Sequence, residues 1–367
     1  MTAVRIPFGS AALHEDAAAV RAAVDRVLSS GWFILGPEVD AFEHEFAAAA
    51  GSGHAVGVGT GTDAIALALR ALGIGPGDEV ITTPLSAAYT ALAIVMAGAQ
   101  PVFADIDASR LTIDPQAIEA AITPRTRAIV PVHLYGQPAD MTAIARIAEV
   151  HSLAVVEDCC QAHLATCSGK PVGTIGAAGA FSFYPTKNLA ALGDGGAVVT
   201  NDAAIADRIK RLRNGGQTDR YHHREAGVNS RLDELQAAIL RARLPFLPRW
   251  TSRRRELAAA YRRLLAEAPV AVPAEHDRGH VYHLFPVLAP RGDRAALQQH
   301  LAAAGVDTLV HYPVPINRQP AFANLPAAAC RCADDVSARV LSLPIHPALD
   351  GSAVAAIAAA VQQWQVR

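Results

Sequence analysis

Three short strings combine residue types that can do chemistry. Lys187 stands in Phe181-Ser182-Phe183-Tyr184-Pro185-Thr186-Lys187-Asn188, an aromatic run followed by Gly193-Asp194-Gly195-Gly196. Lysine is seldom buried without a purpose, and burial favours the neutral amine that attacks carbonyl carbon. A surface loop is the ordinary setting for any single lysine. Asp158 closes Val155-Val156-Glu157-Asp158, which puts a carboxylate at the exit of an apolar strand; a helix N-cap reads the same way. Gly59-Thr60-Gly61-Thr62-Asp63 lies between a strand pattern and a helix pattern. Free N–H groups and the positive end of the helix dipole suit a phosphate there. Gly61 lets the backbone approach closely, and Thr62 adds a hydroxyl donor. A plain helix cap with glycines for turn geometry fits the string equally well. A dinucleotide fingerprint does not: after Gly57-x-Gly59 the last position is Thr62, and the carboxylates that follow, Asp78 and Glu79, lie in a Gly/Pro turn.

The elements around these strings alternate. Helical spacing runs from Asp16 to Ser29 and from Val39 to Ala50. A strand is expected over His54 to Val58 and a helix over Asp63 to Leu72. Strands at 80–83, 101–104, 128–132 and 154–157 alternate with helices at 89–97, 115–121 and 141–151. The strands are apolar without clean alternation, as expected when helices cover both faces of a sheet. The fold class expected is α/β, with a mostly parallel sheet whose ligands collect at the carboxyl ends of the strands. Further strands are expected at 180–183 and 196–200. A helical pattern from Leu232 is broken or bent by Pro245 and Pro248. The basic helix from Arg249 to Leu265 opens a second unit, so residues 1–248 read as a large domain with an N-terminal arm and 249–367 as a smaller C-terminal α+β domain.

Composition removes several function classes. Among 367 residues, 32 Lys and Arg nearly balance 34 Asp and Glu, so no global field draws nucleic acid. No apolar run approaches the ~18 residues of a membrane span, and no signal-peptide pattern opens the chain. The five cysteines do not form a secreted disulfide framework, which points to the cytoplasm. Cys330-x-Cys332 and His280-x-x-His283 are each half a metal site at most, so no metal is expected.

Taken together, the three strings match the needs of pyridoxal 5′-phosphate (PLP): a lysine for its aldehyde, an acid for its pyridine nitrogen and donors for its phosphate. The chain resembles the DegT/StrS-type sugar aminotransferase family, of the aspartate-aminotransferase-like fold (fold type I). Besides the strings above, the likeness rests on Gly31-Trp32-Phe33-Ile34-Leu35-Gly36-Pro37, Pro131-Val132-His133-Leu134-Tyr135-Gly136-Gln137, Gln161-Ala162-His163, Asn229-Ser230-Arg231-Leu232-Asp233-Glu234-Leu235-Gln236 and His311-Tyr312-Pro313. The resemblance implies that Lys187 bonds the cofactor and moves a proton between the substrate α-carbon and the cofactor. It implies that Asp158 keeps the pyridine nitrogen protonated and that Gln161 binds the phenolic oxygen. Gly61, Thr62 and Ser182 would hold the phosphate. Asn229 would reach the phosphate of a neighbouring subunit, making a homodimer with shared active sites. His163, Arg231 and Tyr312 are candidates for substrate contact, each with a structural alternative: a core histidine, a salt bridge and a turn. The implied reaction carries an amino group from an L-amino acid, L-glutamate first, to a keto-sugar, nucleotide-linked before a free keto-cyclitol.

Some positions depart from the family pattern. Where relatives carry a ring that stacks on the pyridine, this chain reads Leu85-Ser86-Ala87-Ala88-Tyr89, so Tyr89 or a small residue takes that place. Leu164 replaces a glycine, Cys167 stands where an aromatic is frequent, and Asn317 where histidine is. The rival readings are a PLP-dependent sugar dehydratase or lyase, a non-catalytic regulatory relative, and a nicotinamide oxidoreductase. Family dehydratases carry histidine at the lysine position, and this chain keeps Lys187.

Overall fold

The computed structural model describes residues 5–9, 14–326 and 329–365. The chain opens with two helices, α1 (Ala17–Ser30) and α2 (Pro37–Ala50), each ended by a left-handed glycine, Gly31 and Gly51. The start of α2 is held from a distance. Pro37 has no N–H to offer, and one carboxylate, Glu234, accepts from Gly36, Glu38 and Val39 at 2.8–2.9 Å. Every free donor of that first turn is thereby satisfied.

The alternating segment then follows: β1 (His54–Val58), α3 (Gly61–Ala71), β2 (Glu79–Thr82), α4 (Tyr89–Met96), β3 (Gln100–Phe103), α5 (Pro115–Ala121), β4 (Thr126–Val130), α6 (Met141–His151) and β5 (Ala154–Asp158). A short hairpin, β6 (Thr166–Cys167) and β7 (Lys170–Pro171), precedes β8 (Ala178–Ser182) and β9 (Gly196–Thr200). Seven strands form one sheet in the order β1-β9-β8-β5-β4-β2-β3. Within it only β9 runs antiparallel to its neighbours. Inner strands are buried on both faces, whereas the edge strand β3 alternates, as a partly covered strand should. Apolar layers lie on both sides. One is built around Phe42, Phe46, Phe181 and Phe183, whose rings meet edge to face; the other is built around the Ala- and Leu-rich face of α3.

Beyond the sheet come α7 (Ala203–Leu212), the small pair β10 (Gln217–Asp219) and β11 (His222–His223), and α8 (Glu234–Arg243). Pro245 and Pro248 act as expected. Leu244–Phe246 tightens into a 3-10 turn, and α9 (Leu247–Leu264) starts afresh with Pro248 in its first turn. The 248/249 boundary therefore falls in the first turn of α9. A separate apolar cluster gathers from Leu257 onward around β12 (Phe285–Leu288), α10 (Arg294–Ala303), β13 (Val340–Leu343) and α12 (Gly351–Gln363). α11 (Arg331–Arg339) packs instead in a mixed cluster with Leu85, Phe103 and Tyr135 of the sheet region.

Leu164, the residue in place of the family glycine, adopts φ 58°. The fold asks for left-handed backbone there, and glycine meets that demand without strain.

Glu234→Ala should leave three buried N–H groups unpaired and lower the unfolding free energy by about 3 kcal/mol or more. Urea denaturation would show this as a lower midpoint at unchanged slope; an unchanged midpoint would refute the capping role.

Candidate active site

The antiparallel turn between β8 and β9 explains how the three strings meet. β1, β5 and β8 run in one direction, so their carboxyl ends share one rim of the sheet. Gly59–Gly61 leaves β1 at that rim, Asp158 ends β5 there, and the loop carrying Lys187 crosses from β8 to β9 above it.

The cradle is made by contact too close for a side chain. A Cβ on Gly61 would lie 2.6 Å from Ser182 Cβ and 2.7 Å from Cys160 Sγ. A Cβ on Gly196 would lie 2.3 Å from the carbonyl oxygen of Thr60. Thr60 is the true N-cap of α3: its hydroxyl accepts from Asp63 N at 3.0 Å. That leaves the N–H groups of Gly61 and Thr62, in the first turn, pointing out of the helix end. Ser182 is partly buried beside them, its hydroxyl 3.4 Å from Tyr184 N.

Asp158 is pinned. Its Oδ2 accepts from Thr90 Oγ1 at 2.7 Å and its Oδ1 from Cys160 N at 3.1 Å. Gln161 is fixed at both ends of its amide, with Oε1 accepting from Tyr135 N at 2.8 Å and Nε2 donating to Tyr312 OH at 3.0 Å. Tyr135 also donates its hydroxyl to the carbonyl of His311. Lys187 is held below its usual basicity by burial, with Cys160 and Asp158 opposing that shift. The next residue, Asn188, donates to Val281 O at 3.1 Å and faces His283 Nδ1 at 3.3 Å. The lysine loop is therefore fastened to the segment that leads into β12.

Not every expected residue gathers here. His163 is a core residue. It is fully buried between Phe181 and Phe183, its Nε2 bonds the Ser182 carbonyl at 2.8 Å, and burial and Lys187 hold its pKa near about 3. It supports Ser182 from behind and has no surface to offer a substrate. Tyr89 is 65% exposed at the start of α4, and its neighbour Thr90 is the residue that turns inward to Asp158. About 100° of helix rotation separates the two side chains, so Tyr89 is not on the Asp158 face. Arg231 donates to Asn214 Oδ1 at 3.1 Å, and among the described residues no carboxylate pairs with it. Asn229 is exposed on the 214–229 loop, with its backbone bridged to Asn214. Sequence reasoning missed Thr90 altogether, and it gave no role to Tyr135 or Asn188 although both stand in strings that carry the likeness; their roles arise from tertiary contacts.

Among the described residues one cluster, His133, Glu157 and Cys159, has metal-like spacing. Its histidine and carboxylate are already engaged. Glu157 accepts from Gly173, Ile175 and Gly176, and His133 bonds Glu157 and Ala139 N. The cluster is a buried brace.

A sequence model of the DegT/DnrJ/EryC1/StrS aminotransferase family matches residues 14–362. The chain belongs to this family. It is 48% identical over 369 residues to dTDP-3-amino-3,4,6-trideoxy-alpha-D-glucose transaminase of Streptomyces venezuelae, covering 99% of this chain and 97% of that one. It is 43% identical over 343 residues to UDP-2-acetamido-2-deoxy-3-oxo-D-glucuronate aminotransferase of Pseudomonas aeruginosa, covering 93% and 95%. A crystal structure of S. venezuelae DesV superposes with a TM-score of 0.96 at 47% identity, over 99% of this chain and 100% of that one. The protein is thus a PLP-dependent aminotransferase of fold type I, the family and fold that its motifs suggested.

The residues present fit that cofactor. A side-chain-free cradle at Gly61, a pinned carboxylate at Asp158 and a lysine of lowered basicity answer to phosphate, pyridine nitrogen and aldehyde. When bound, PLP supplies the aldehyde that takes up the amino group and a ring that withdraws electrons from the reacting carbon. Gly61, Thr62 and Ser182 would anchor the phosphate end. Asp158, oriented by Thr90, would hold the proton on the ring nitrogen, and Lys187 would take and return a proton at the reacting carbon.

Gly61→Ala should force the cradle open and weaken PLP binding about tenfold or more, since about 1.4 kcal/mol of misfit is a factor of ten. Titrating cofactor-free protein with PLP and reading visible absorbance checks this; wild-type affinity would place the phosphate elsewhere.

Lys187 also has a pH signature in the cofactor-free protein. Its folded pKa lies below the ordinary 10.5, so between the two values the unfolded chain binds more protons and stability rises with pH. Lys187→Met should therefore be more stable than wild type at neutral pH, by a margin that shrinks towards 10.5. Denaturation curves at about pH 7 and about pH 10 test the sign.

Proposed function

We propose that the protein moves the amino group of L-glutamate to the keto group at C3 of a nucleotide-linked sugar, working in the cytoplasm as a homodimer with shared active sites. The reading rests first on near full-length likeness to relatives whose names place nitrogen or oxygen on carbon 3 of dTDP- and UDP-linked sugars. Lys187, Asp158, Gly61, Thr62, Gln161 and Ser182 are proposed as the cofactor residues, and Asn229 as the residue lent to the partner. Tyr312 is the better-supported substrate neighbour, because its hydroxyl meets Gln161. Arg231 is proposed for a substrate anion on the strength of its unpaired charge.

Two surface features favour the dimer. The outer face of α4 exposes Tyr89, Leu92, Val95 and Met96, and a second exposed group is Trp32, Phe33 and Ile34. Apolar faces of this kind mark interfaces. The five cysteines are all unpaired, which suits a reducing compartment. No helix among the described residues is long and apolar enough to cross a membrane.

The test follows the visible spectrum of the PLP-loaded protein. L-Glutamate should bleach the yellow band to the amine form, and a dTDP- or UDP-linked 3-keto-sugar should restore it. Lys187→Ala should do neither, and a 4-keto isomer should restore the band more slowly. Faster restoration by the 4-keto sugar would overturn the position assigned, and no bleaching by L-glutamate would overturn the donor.

A further inference from the structure

The strand that delivers the cradle lies at the edge of the sheet. β1 ends the strand order and pairs with β9, so the N–H and C=O groups on its outer edge need partners that are not a strand. Side chains supply them. At Gly57 the N–H donates to Glu43 Oε1 at 2.8 Å, and the carbonyl accepts from Arg213 Nη1 at 2.6 Å. Glu43 and Arg213, both buried, pair with each other. Groups facing one edge recur at every second residue of a strand. The next outward donor is therefore Gly59 N, and it meets Ser230 Oγ at 2.9 Å.

Ser230 is itself fixed. It is 5% exposed, and its own N–H donates to the carbonyl of Arg213 at 2.9 Å. Two linked residues thus close the strand edge, Arg213 at Gly57 and Ser230 at Gly59. The fit is close: a Cβ on Gly59 would lie 3.2 Å from Ser230 Oγ and 3.1 Å from Asp63 Oδ2. Gly59 is the last residue before the cradle turn. Thr60 follows as the cap of α3, with Gly61 and Thr62 in the first turn. The turn is therefore held at its entry by the Ser230 hydroxyl and at its exit by the Thr60 cap. A backbone donor kept from water is costly without an acceptor, so loss of the hydroxyl would let the turn shift.

We propose that Ser230 is a positioning residue for the cofactor phosphate: its hydroxyl accepts from Gly59 N and so aims the N–H groups of Gly61 and Thr62. This rests on the phosphate site proposed above. Ser230 acts through the backbone of its own subunit, not by contact with the cofactor. Its neighbour Asn229 is the residue proposed for the partner's phosphate, so two adjacent residues would serve the two phosphates of the dimer by different routes.

Pyridoxal has the ring and aldehyde of PLP but no phosphate, so the ratio of the two affinities reads the cradle alone. Each is titrated into cofactor-free protein and followed by visible absorbance. Ser230→Ala should weaken PLP about 3- to 10-fold, as loss of one hydrogen bond does, and leave pyridoxal unchanged. Ser230→Thr keeps the hydroxyl and should recover most of the loss. Phosphorus NMR of bound PLP should show a moved phosphate resonance in Ser230→Ala and its return in Ser230→Thr. The loss should persist in an Asn229→Ala background, because it passes through Gly59. If Ser230→Ala does not fold, Ser230→Cys puts a weaker acceptor in the same place and carries the same expectation. Unchanged PLP affinity, equal weakening of PLP and pyridoxal, or a loss that vanishes in the Asn229→Ala background would each overturn the role of Ser230. Wild-type protein that binds pyridoxal as tightly as PLP would overturn the phosphate site itself, and the role of Ser230 with it.

Discussion

The site depends on one backbone contact, the approach of the Thr60–Gly61 turn to Gly196 and Ser182. No side chain fits between these segments: a Cβ on either glycine would lie 2.3–2.6 Å from its neighbour. The contact seats the amino end of α3 at the carboxyl rim of the sheet, where a helix start can hold a phosphate. It also fixes the entry of β9 beside the exit of β1. Because β9 is antiparallel, the loop feeding it must return to the same rim where β5 ends. Anchor, acid and lysine are therefore consequences of one topological step, although they lie far apart in sequence.

Much of this was legible in sequence because it is local. The strand 54–58 and the helices 115–121 and 141–151 have the expected bounds, set by turn residues on either side. α3 starts at Gly61 and not at Asp63 because Thr60 supplies the cap. Lys187 and Asp158 stood out because charged residues at the ends of apolar runs are conspicuous. Thr90 did not stand out, since a threonine that orients a carboxylate 68 positions away looks like any threonine. His163 shows the converse. Spacing placed it near the cofactor string, but the turn after β5 carries its ring into the phenylalanine layer, where it bonds the carbonyl of Ser182. Tyr89 and Thr90 differ by one position, and one position on a helix is enough to change face.

The electrostatics around Lys187 follow from the same dryness. His163, His283 and His311 are all held below the usual histidine range, by burial first and by the lysine second. Three imidazoles near an amine might be expected to compete with it for protons. Burial settles the competition by keeping all three neutral, so none of them takes the proton from Lys187. Cys160 lies within reach of Lys187 and Asp158, yet burial and Asp158 push its thiol up, so it does not offer a thiolate to the cofactor aldehyde. A vicinal cysteine beside a reactive carbonyl is tolerable only under that condition.

The lysine loop is tied to the 281–283 segment by Asn188, and the segment after β5 is tied to the 311–313 segment by Gln161, which donates to Tyr312 OH. Arg254 binds the carbonyls of Tyr282, His283 and Ile345, so this cation braces the segment that enters β12 against the one that leaves β13. The amine's position and the buried cation are thus joined through residues 281–283, to which Asn188 and Arg254 both bond.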